Sequence, residues 1–210
     1  MTAAKKKLAA AQSVLKATAA TLKSKAAQVA AAKKLYLARQ AQAQAELAKA
    51  AKILKGLSKS ELAKLLALQA AENAYYQKIS VAAAKSKIGA TGAEAVALKF
   101  AFSQIGKVYV FGGSGLTYWD CSGLVMKALQ QVGISTPHSA AAQANYGKAV
   151  ALGQIRPGDL LFFGAPVISH VGIYIGNGRM LDAPHTGALV RVDTFGSSFG
   201  TEKLVAARRF

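Results

Sequence analysis

The chain has 210 residues, 27 Lys and Arg against 9 Asp and Glu, a net charge of +18, and one cysteine. A single thiol excludes an internal disulfide framework and any cysteine-based zinc cluster. No run of about 18 apolar residues occurs, so no membrane-spanning helix is expected, and the positive charge points to an acidic partner such as nucleic acid, anionic lipid or another polyanion.

Composition divides the chain into residues 1–88 and 89–210. The first part is Ala, Lys, Leu and Gln with one Gly and no Pro; the second holds 18 of the 19 Gly, all 4 Pro, the only Trp and all 8 Phe. The charge divides likewise, as +14 and +4. The first part lacks bulky apolar groups for a globular core, and the second has them. The opening Met-Thr-Ala-Ala-Lys-Lys-Lys is followed by no apolar stretch, so no secretory signal is visible. For an exported protein, the expectation is a mature form or a piece lacking its signal.

Leu8, Leu15, Leu22, Val29 and Tyr36 recur every seven residues, and Leu47 and Leu54 repeat the interval, the period of a helix that pairs along a narrow seam. Gly56 interrupts the run, and Ser58 with Glu61 three residues on forms a capping box that starts a second helix. An all-α helical hairpin with a coiled-coil seam is expected, its first arm roughly 75 Å long, with Lys85–Gly92 as its end and linker. Its lysines read first as solvated faces. The absence of aromatic interleaving or a recognition motif argues against nucleic acid as its partner.

From Ala93 the texture alternates. Helices are expected at Ala93–Ile105, Cys121–Val132 (closed by Gly133) and Ser139–Tyr146, with an extended piece at Lys107–Phe111. After the turn Arg156-Pro157-Gly158-Asp159 come strands at Leu160–Phe163, His170–Ile175, Arg179–Ala183 and Ala188–Val192, two of them joined by the hairpin signal Asn177-Gly178. Helices first and an antiparallel sheet after make this part α+β.

The lone Cys121 stands at the predicted start of a helix, where the helix terminus and an imidazolium favour the nucleophilic thiolate. Ser122 and Gly123 are small enough to admit a substrate carbonyl to the backbone N–H groups there. Alone, such a cysteine is more often an inert core residue. Of three histidines, His170 opens a strand and suits a fixed base, whereas His138 reads as surface or cleft lining. A third group must orient the imidazole, and both Asp182 and His185 follow on the next strand or its end. A plain two-residue hairpin register sets His185 opposite His170.

Tyr109-Val110-Phe111-Gly112-Gly113, Asp120-Cys121-Ser122-Gly123-Leu124, Arg156-Pro157-Gly158-Asp159-Leu160 and His170-Val171-Gly172-Ile173-Tyr174-Ile175-Gly176 together resemble the NlpC-type papain-like peptidases, a family named for NlpC and a sixty-kilodalton wall hydrolase. The resemblance covers roughly Ala93–Val192. It implies a papain-like fold with an antiparallel sheet packed on helices, Cys121 as nucleophile and His170 as base. It implies a third polar residue twelve positions after the histidine, which is Asp182; His185 stays as substitute or cleft residue. Tyr109, Asp120 and Ser122 match positions beside the nucleophile and substrate, although Asp120 suits an N-cap equally. The implied substrate is the peptidoglycan stem peptide, cut between D-γ-glutamate and the diamino acid by a secreted, wall-associated endopeptidase without metal or cofactor. The basic arm of residues 1–88 is similar to helical segments preceding such domains, which leaves an inhibitory plug, an anionic wall polymer or a division-protein partner open. Rival readings are a silent wall-binding module, an amidase or acyl transferase on a similar fold, and a nucleic-acid-binding coiled coil.

Overall fold

The computed structural model describes residues 2–86 and 89–210, with a few side chains of the first helix outside that description. Helix α1, Ala3–Gly56, runs 54 residues, roughly 80 Å at the rise of an α-helix. Good helix formers sustain it. Helix α2, Lys59–Lys85, starts at the expected capping box: the Ser58 N–H donates to Glu61 Oε2 at 2.8 Å, and the Glu61 N–H donates to Ser58 Oγ at 3.3 Å. The linker positions Lys87 and Ile88 and the Tyr36 side chain lie outside the described residues. Among the described side chains of the α1 seam, Leu15 is 72 % exposed and even Leu54 is 45 % exposed. The pairing for which a seven-residue period is suited is therefore not made by these side chains.

The contacts group into two compact units, Met1–Lys64 and Leu65–Phe210, a division that falls ahead of the composition break at 88/89. Within the second unit, the later turns of α2 are tied to the strand Arg191–Thr194. Ser80, fully buried, accepts a 2.7 Å hydrogen bond from the Val192 N–H through its Oγ. Glu72 pairs with Arg191 at 3.2 Å, and the Tyr76 ring lies 3.7 Å beneath the same guanidinium. Ala83 enters the main core. The small residues of this helix allow close approach of the sheet edge, and its few polar groups satisfy that edge.

Helix α3, Gly92–Phe102, follows and buries Ala97, Leu98 and Ala101. Short strands β1 (Val108–Tyr109), β2 (Ser114–Gly115) and β3 (Tyr118–Trp119) form a small sheet in the order β1-β3-β2, with Tyr109 level with Trp119. Phe100 of α3 meets Trp119 edge-on, centroids 5.9 Å apart. Helices α4 (Cys121–Gln130) and α5 (Ala140–Gln143) come next. The large sheet is built from β4 (Lys148–Val150), β5 (Leu160–Phe163), β6 (His170–Gly176), β7 (Arg179–Asp182), β8 (Arg191–Thr194) and β10 (Glu202–Arg209), in the order β4-β10-β5-β6-β7-β8, while β9 (Ser198–Phe199) pairs with β10. These pairs are antiparallel, and the α+β, papain-like architecture is as expected.

Both faces of the central strands are covered. Leu160, Phe162, Val171, Ile173 and Leu181 pack toward the helices with Leu124 and Val125, while Leu161, Phe163, Met180, Leu204 and Ala207 form a second cluster. That is why Leu160–Phe163 is an unbroken apolar run instead of an alternating one. Each fully buried Phe or Leu contributes about 1.5–3 kcal/mol relative to exposure.

Three expectations need correction. The helix expected at Ser139–Tyr146 is a single turn capped by Ser139. The last hairpin strand begins at Arg191, three residues later than Ala188. The C-terminal β10, which lies between β4 and β5, was not foreseen. Its Glu202–Arg209 segment carries little β-branched or aromatic residue, and its place rests on tertiary contacts: Arg209 bonds the fully buried Asp159 at 2.7 Å with two nitrogens.

Because Ser80 is the partner of a buried N–H, Ser80→Ala is expected to destabilise the chain by about 1–3 kcal/mol. A polypeptide starting at Gly89 is expected to melt on the order of 10 °C below one starting at Leu65. Thermal unfolding followed by circular dichroism measures both; equal melting points would show that α2 does not support the sheet edge.

Candidate active site

The first turn of α4 explains where Cys121 sits. Asp120 is extended and caps the helix, accepting from the Gly123 N–H at 2.6 Å and from Ser122 Oγ at 3.1 Å. Its other oxygen accepts from the Gly112 N–H at 2.9 Å, and His138 Nε2 lies 2.9 Å from both oxygens. Asp120 is 6 % exposed. The geometry gives Asp120 the cap role. Gly123 also has a packing role: a Cβ there would collide with the Gly113 carbonyl oxygen and crowd His138. Its smallness serves packing of the glycine turn against α4, and its N–H is used by the cap. The N–H groups of Cys121 and Ser122, in the first helical turn, have no acceptor four residues back, and the helix terminus there favours negative charge.

His170 is the first residue of β6 and is 7 % exposed. Phe199 stacks on its ring at 5.2 Å with a 26° interplanar angle, and Phe163 lies 6.0 Å away. Its Nε2 is 2.8 Å from Asp182 Oδ2, which leaves Nδ1 for other partners. His170 and the Cys121 thiol line the same cleft.

The hairpin places Asp182, and not His185, against His170. Ile173 pairs with Leu181 and Tyr174 with Met180, but Gly176 pairs with Arg179, so the register slips by one residue between Tyr174 and Gly176. Gly176 adopts φ 95° at this irregularity and Asn177 follows at φ 55°. The slip brings Asp182 to the level of Gly172. A Cβ on Gly172 would stand 2.7 Å from Met180 Sδ and 3.3 Å from Asp182 Cβ, so the missing side chain gives the Asp182 carboxylate its path to His170. His185 lies past the end of β7, exposed, with Nδ1 3.0 Å from the Thr186 carbonyl oxygen.

Burial opposes charge on His170, but its hydrogen bonds to Asp182 and Cys121 outweigh it and push its pKa up to about 10. Beside this pair, Arg191 stands opposite Asp182 in the β7–β8 ladder and donates to Asp193 Oδ2 at 2.8 Å. Burial, and then the Asp182 charge, raise Asp193 to about 6. Burial, followed by the charges of Cys121 and Asp120, holds the Tyr109 hydroxyl above its usual value, so it stays a donor. The Asp120 hydrogen bond raises His138 against the opposing effect of burial.

Tyr109, Cys121, Ser169, His170, Pro184 and the segment Phe199–Glu202 line one cleft of about 270 Å³. The structure thus brings Cys121, His170 and Tyr109 to the cleft, with Asp182 behind His170. Asp120, Ser122 and His185 are not in its lining. Sequence reasoning missed His138 as the partner of Asp120, because nothing in Thr136-Pro137-His138-Ser139 signals a carboxylate 18 residues back. It also missed Phe199 and Glu202, which lie on a hairpin that the sequence pattern does not announce.

Comparison with known families matches the NlpC/P60 family over residues 106–209. Solved structures of the resuscitation promoting factor interacting protein RipA are similar: a form mutated at a histidine is 30 % identical, with a TM-score of 0.51, over 60 % of this chain and 70 % of that one. The chain belongs to the NlpC/P60 family. A second RipA form, mutated at a glutamate twelve positions after that histidine, is 32 % identical with a TM-score of 0.50, over 59 % of this chain and 69 % of that one. A probable endopeptidase of Mycobacterium tuberculosis is 46 % identical over 110 residues, 52 % of this chain and 28 % of that protein. The γ-D-glutamyl-L-lysine dipeptidyl-peptidase of Bacillus subtilis is 38 % identical over 109 residues, 50 % of this chain and 37 % of its own. The chain therefore spans about a third or less of the length of these two curated relatives.

His170 is expected to hold its proton through neutral pH. Since its folded pKa lies above the ordinary 6.5, its contribution to stability is fully present below about pH 6.5 and is lost as pH rises through about 10. Asp182→Asn removes an anionic partner and lowers that pKa. Imidazole NMR resonances of the native and variant chains check this; a native His170 that titrates near 6.5 would contradict it.

Proposed function

We propose that this NlpC/P60 chain is a cell-wall hydrolase: a cysteine endopeptidase that cuts peptidoglycan stem peptides between D-γ-glutamate and the following diamino acid. The observation that carries the reading is one cleft in which Cys121, at the start of α4, meets a His170 that is bonded behind to Asp182. The spacing of the two mutated RipA positions equals that of His170 and Asp182, with an aspartate here for a glutamate there. The bond is suggested by the name of the Bacillus subtilis relative.

In this reading, the proton shared by the pair already rests on His170, and the Cys121 thiolate attacks the scissile carbonyl carbon. The resulting oxyanion is met by first-turn N–H groups of α4, and the neutral Tyr109 hydroxyl stands by as a further donor. The tetrahedral intermediate collapses as His170 protonates the leaving amine nitrogen, and a thioester remains on Cys121. Water, deprotonated by His170, then attacks the thioester and releases the acid. Asp182 orients the imidazole and stabilises its charged form, the role of the third member of a triad.

Residues 89–210 are proposed as the catalytic part and residues 1–88 as a basic arm, with the later turns of α2 bracing the sheet. The +14 charge of the arm supports attraction to an anionic wall polymer or a division-protein partner. Among the described residues, no helix is long and apolar enough to cross a membrane, and wall association outside the cell fits the proposed substrate.

Incubation of the full chain with purified peptidoglycan, followed by mass spectrometry of the soluble peptides, tests this reading. Fragments ending in D-γ-glutamate are expected, and Cys121→Ala is expected to lower their release by at least about a thousandfold while the melting temperature stays within a few degrees. A freed lactyl-sugar chain would instead indicate an amidase, and binding without cleavage would indicate a silent module.

A further inference from the structure

Glu202 opens β10 and lines the same cleft as Cys121 and His170. Glu202 is half-buried as a residue, and it makes no ion pair among the described residues. The seat of the carboxylate is specific. A Cβ on Gly164 would stand 2.9 Å from Glu202 Oε2 and 2.5 Å from Ser169 Oγ, so the glycine at φ 113° leaves room for the acid beside the start of β6. The other acid next to the nucleophile, Asp120, is saturated by its cap and by His138. Glu202 is thus the cleft acid left with a free charge to offer.

Chemistry decides which part of the substrate it meets. His170 delivers a proton to the leaving nitrogen, so the residue after the scissile bond must begin within reach of His170. Its continuation then runs along the cleft surface that includes His170, Ser169, Pro184 and the β9–β10 turn. Tyr109 and the α4 terminus are left for the acyl side.

We propose that Glu202 is a specificity determinant that receives the side-chain ammonium of the amino acid following the scissile bond. This deepens the endopeptidase reading and rests on it: a partly desolvated carboxylate selects a primary ammonium over a neutral side chain through a charge-assisted hydrogen bond. The ammonium can belong to lysine or to diaminopimelate, and the two are separable by assay.

Steady-state cleavage of synthetic peptides by the full chain tests the assignment. The peptides carry D-γ-glutamate followed by lysine, Nε-acetyl-lysine or diaminopimelate. The native chain is expected to prefer lysine over acetyl-lysine by on the order of tenfold in kcat/KM, mainly through KM, with the preference weakening as salt rises. Glu202→Gln is expected to bring that ratio near one, Glu202→Lys to invert it, and Glu202→Asp to keep part of it. Whichever of lysine and diaminopimelate is cut faster identifies the source of the ammonium. An unchanged ratio in Glu202→Gln, or an equal loss on both peptides, overturns the assignment while leaving the endopeptidase reading intact. If the native chain cuts none of the peptides and also releases nothing from peptidoglycan, both fall.

Discussion

The organisation of the site depends on one buried hydrogen bond, His170 Nε2 to Asp182 Oδ2 at 2.8 Å. Both residues are buried, and the second oxygen of Asp182 finds no hydrogen-bond partner among the described residues. An anion in that position is costly unless compensating charge is near. Two cations provide it, the raised imidazolium of His170 and the guanidinium of Arg191. Removing either leaves a buried carboxylate short of compensation, which ties the chemistry of the cleft to the integrity of the β7–β8 ladder.

That dependence extends to α2. Arg191 serves Asp193 directly, faces Asp182 in the ladder, and is itself held by Glu72 and by the face of Tyr76. Carboxylates and guanidinium alternate across this edge, so their mutual screening lets two buried acids coexist; Asp193 carries the strain as a raised pKa. A helix that composition assigns to the basic arm therefore contributes to the electrostatic setting of the site. The link is local and physical: side chains of α2 touch the cation that faces the acid bonded to His170.

Much of this was legible in the sequence where local rules coincide. The Ser58–Glu61 box, the apolar run Leu160–Phe163 and the Asn177-Gly178 hairpin each lie where propensity and pattern agree. The position of Asp182, rather than His185, beside His170 was legible only through family resemblance, because plain hairpin register argues the other way. The one-residue slip at Gly176 is a backbone irregularity that alternation cannot reveal, and nothing in the sequence marks Gly172 as the opening beside the Asp182 carboxylate. Likewise β10 is poor in strand-favouring residues and is placed by its neighbours, so Phe199 and Glu202 could not be assigned to the cleft in advance. The heptad of α1 was legible as periodicity, but periodicity states what a surface can pair with and not whether it is paired.

Two acids, Asp120 and Glu202, lie near Cys121 on different elements and are held in different ways. Asp120 lies at a helix N-terminus with backbone donors on two sides and a histidine across it, so its charge is consumed in fixing where α4 begins and hence where Cys121 stands. Glu202 lies at the start of a strand whose backbone is committed to the sheet, and no donor among the described residues is spent on its carboxylate. Equal in chemistry, the two differ in what surrounds them. The first is rigid because it is satisfied; the second has charge to offer because it is not. On the proposed reading, a cleft that works through a cysteine nucleophile and takes a cationic side chain gains from that division, since a free acid directly at the α4 terminus would oppose negative charge on the sulfur, whereas Glu202 sits on the opposite wall of the cleft with His170.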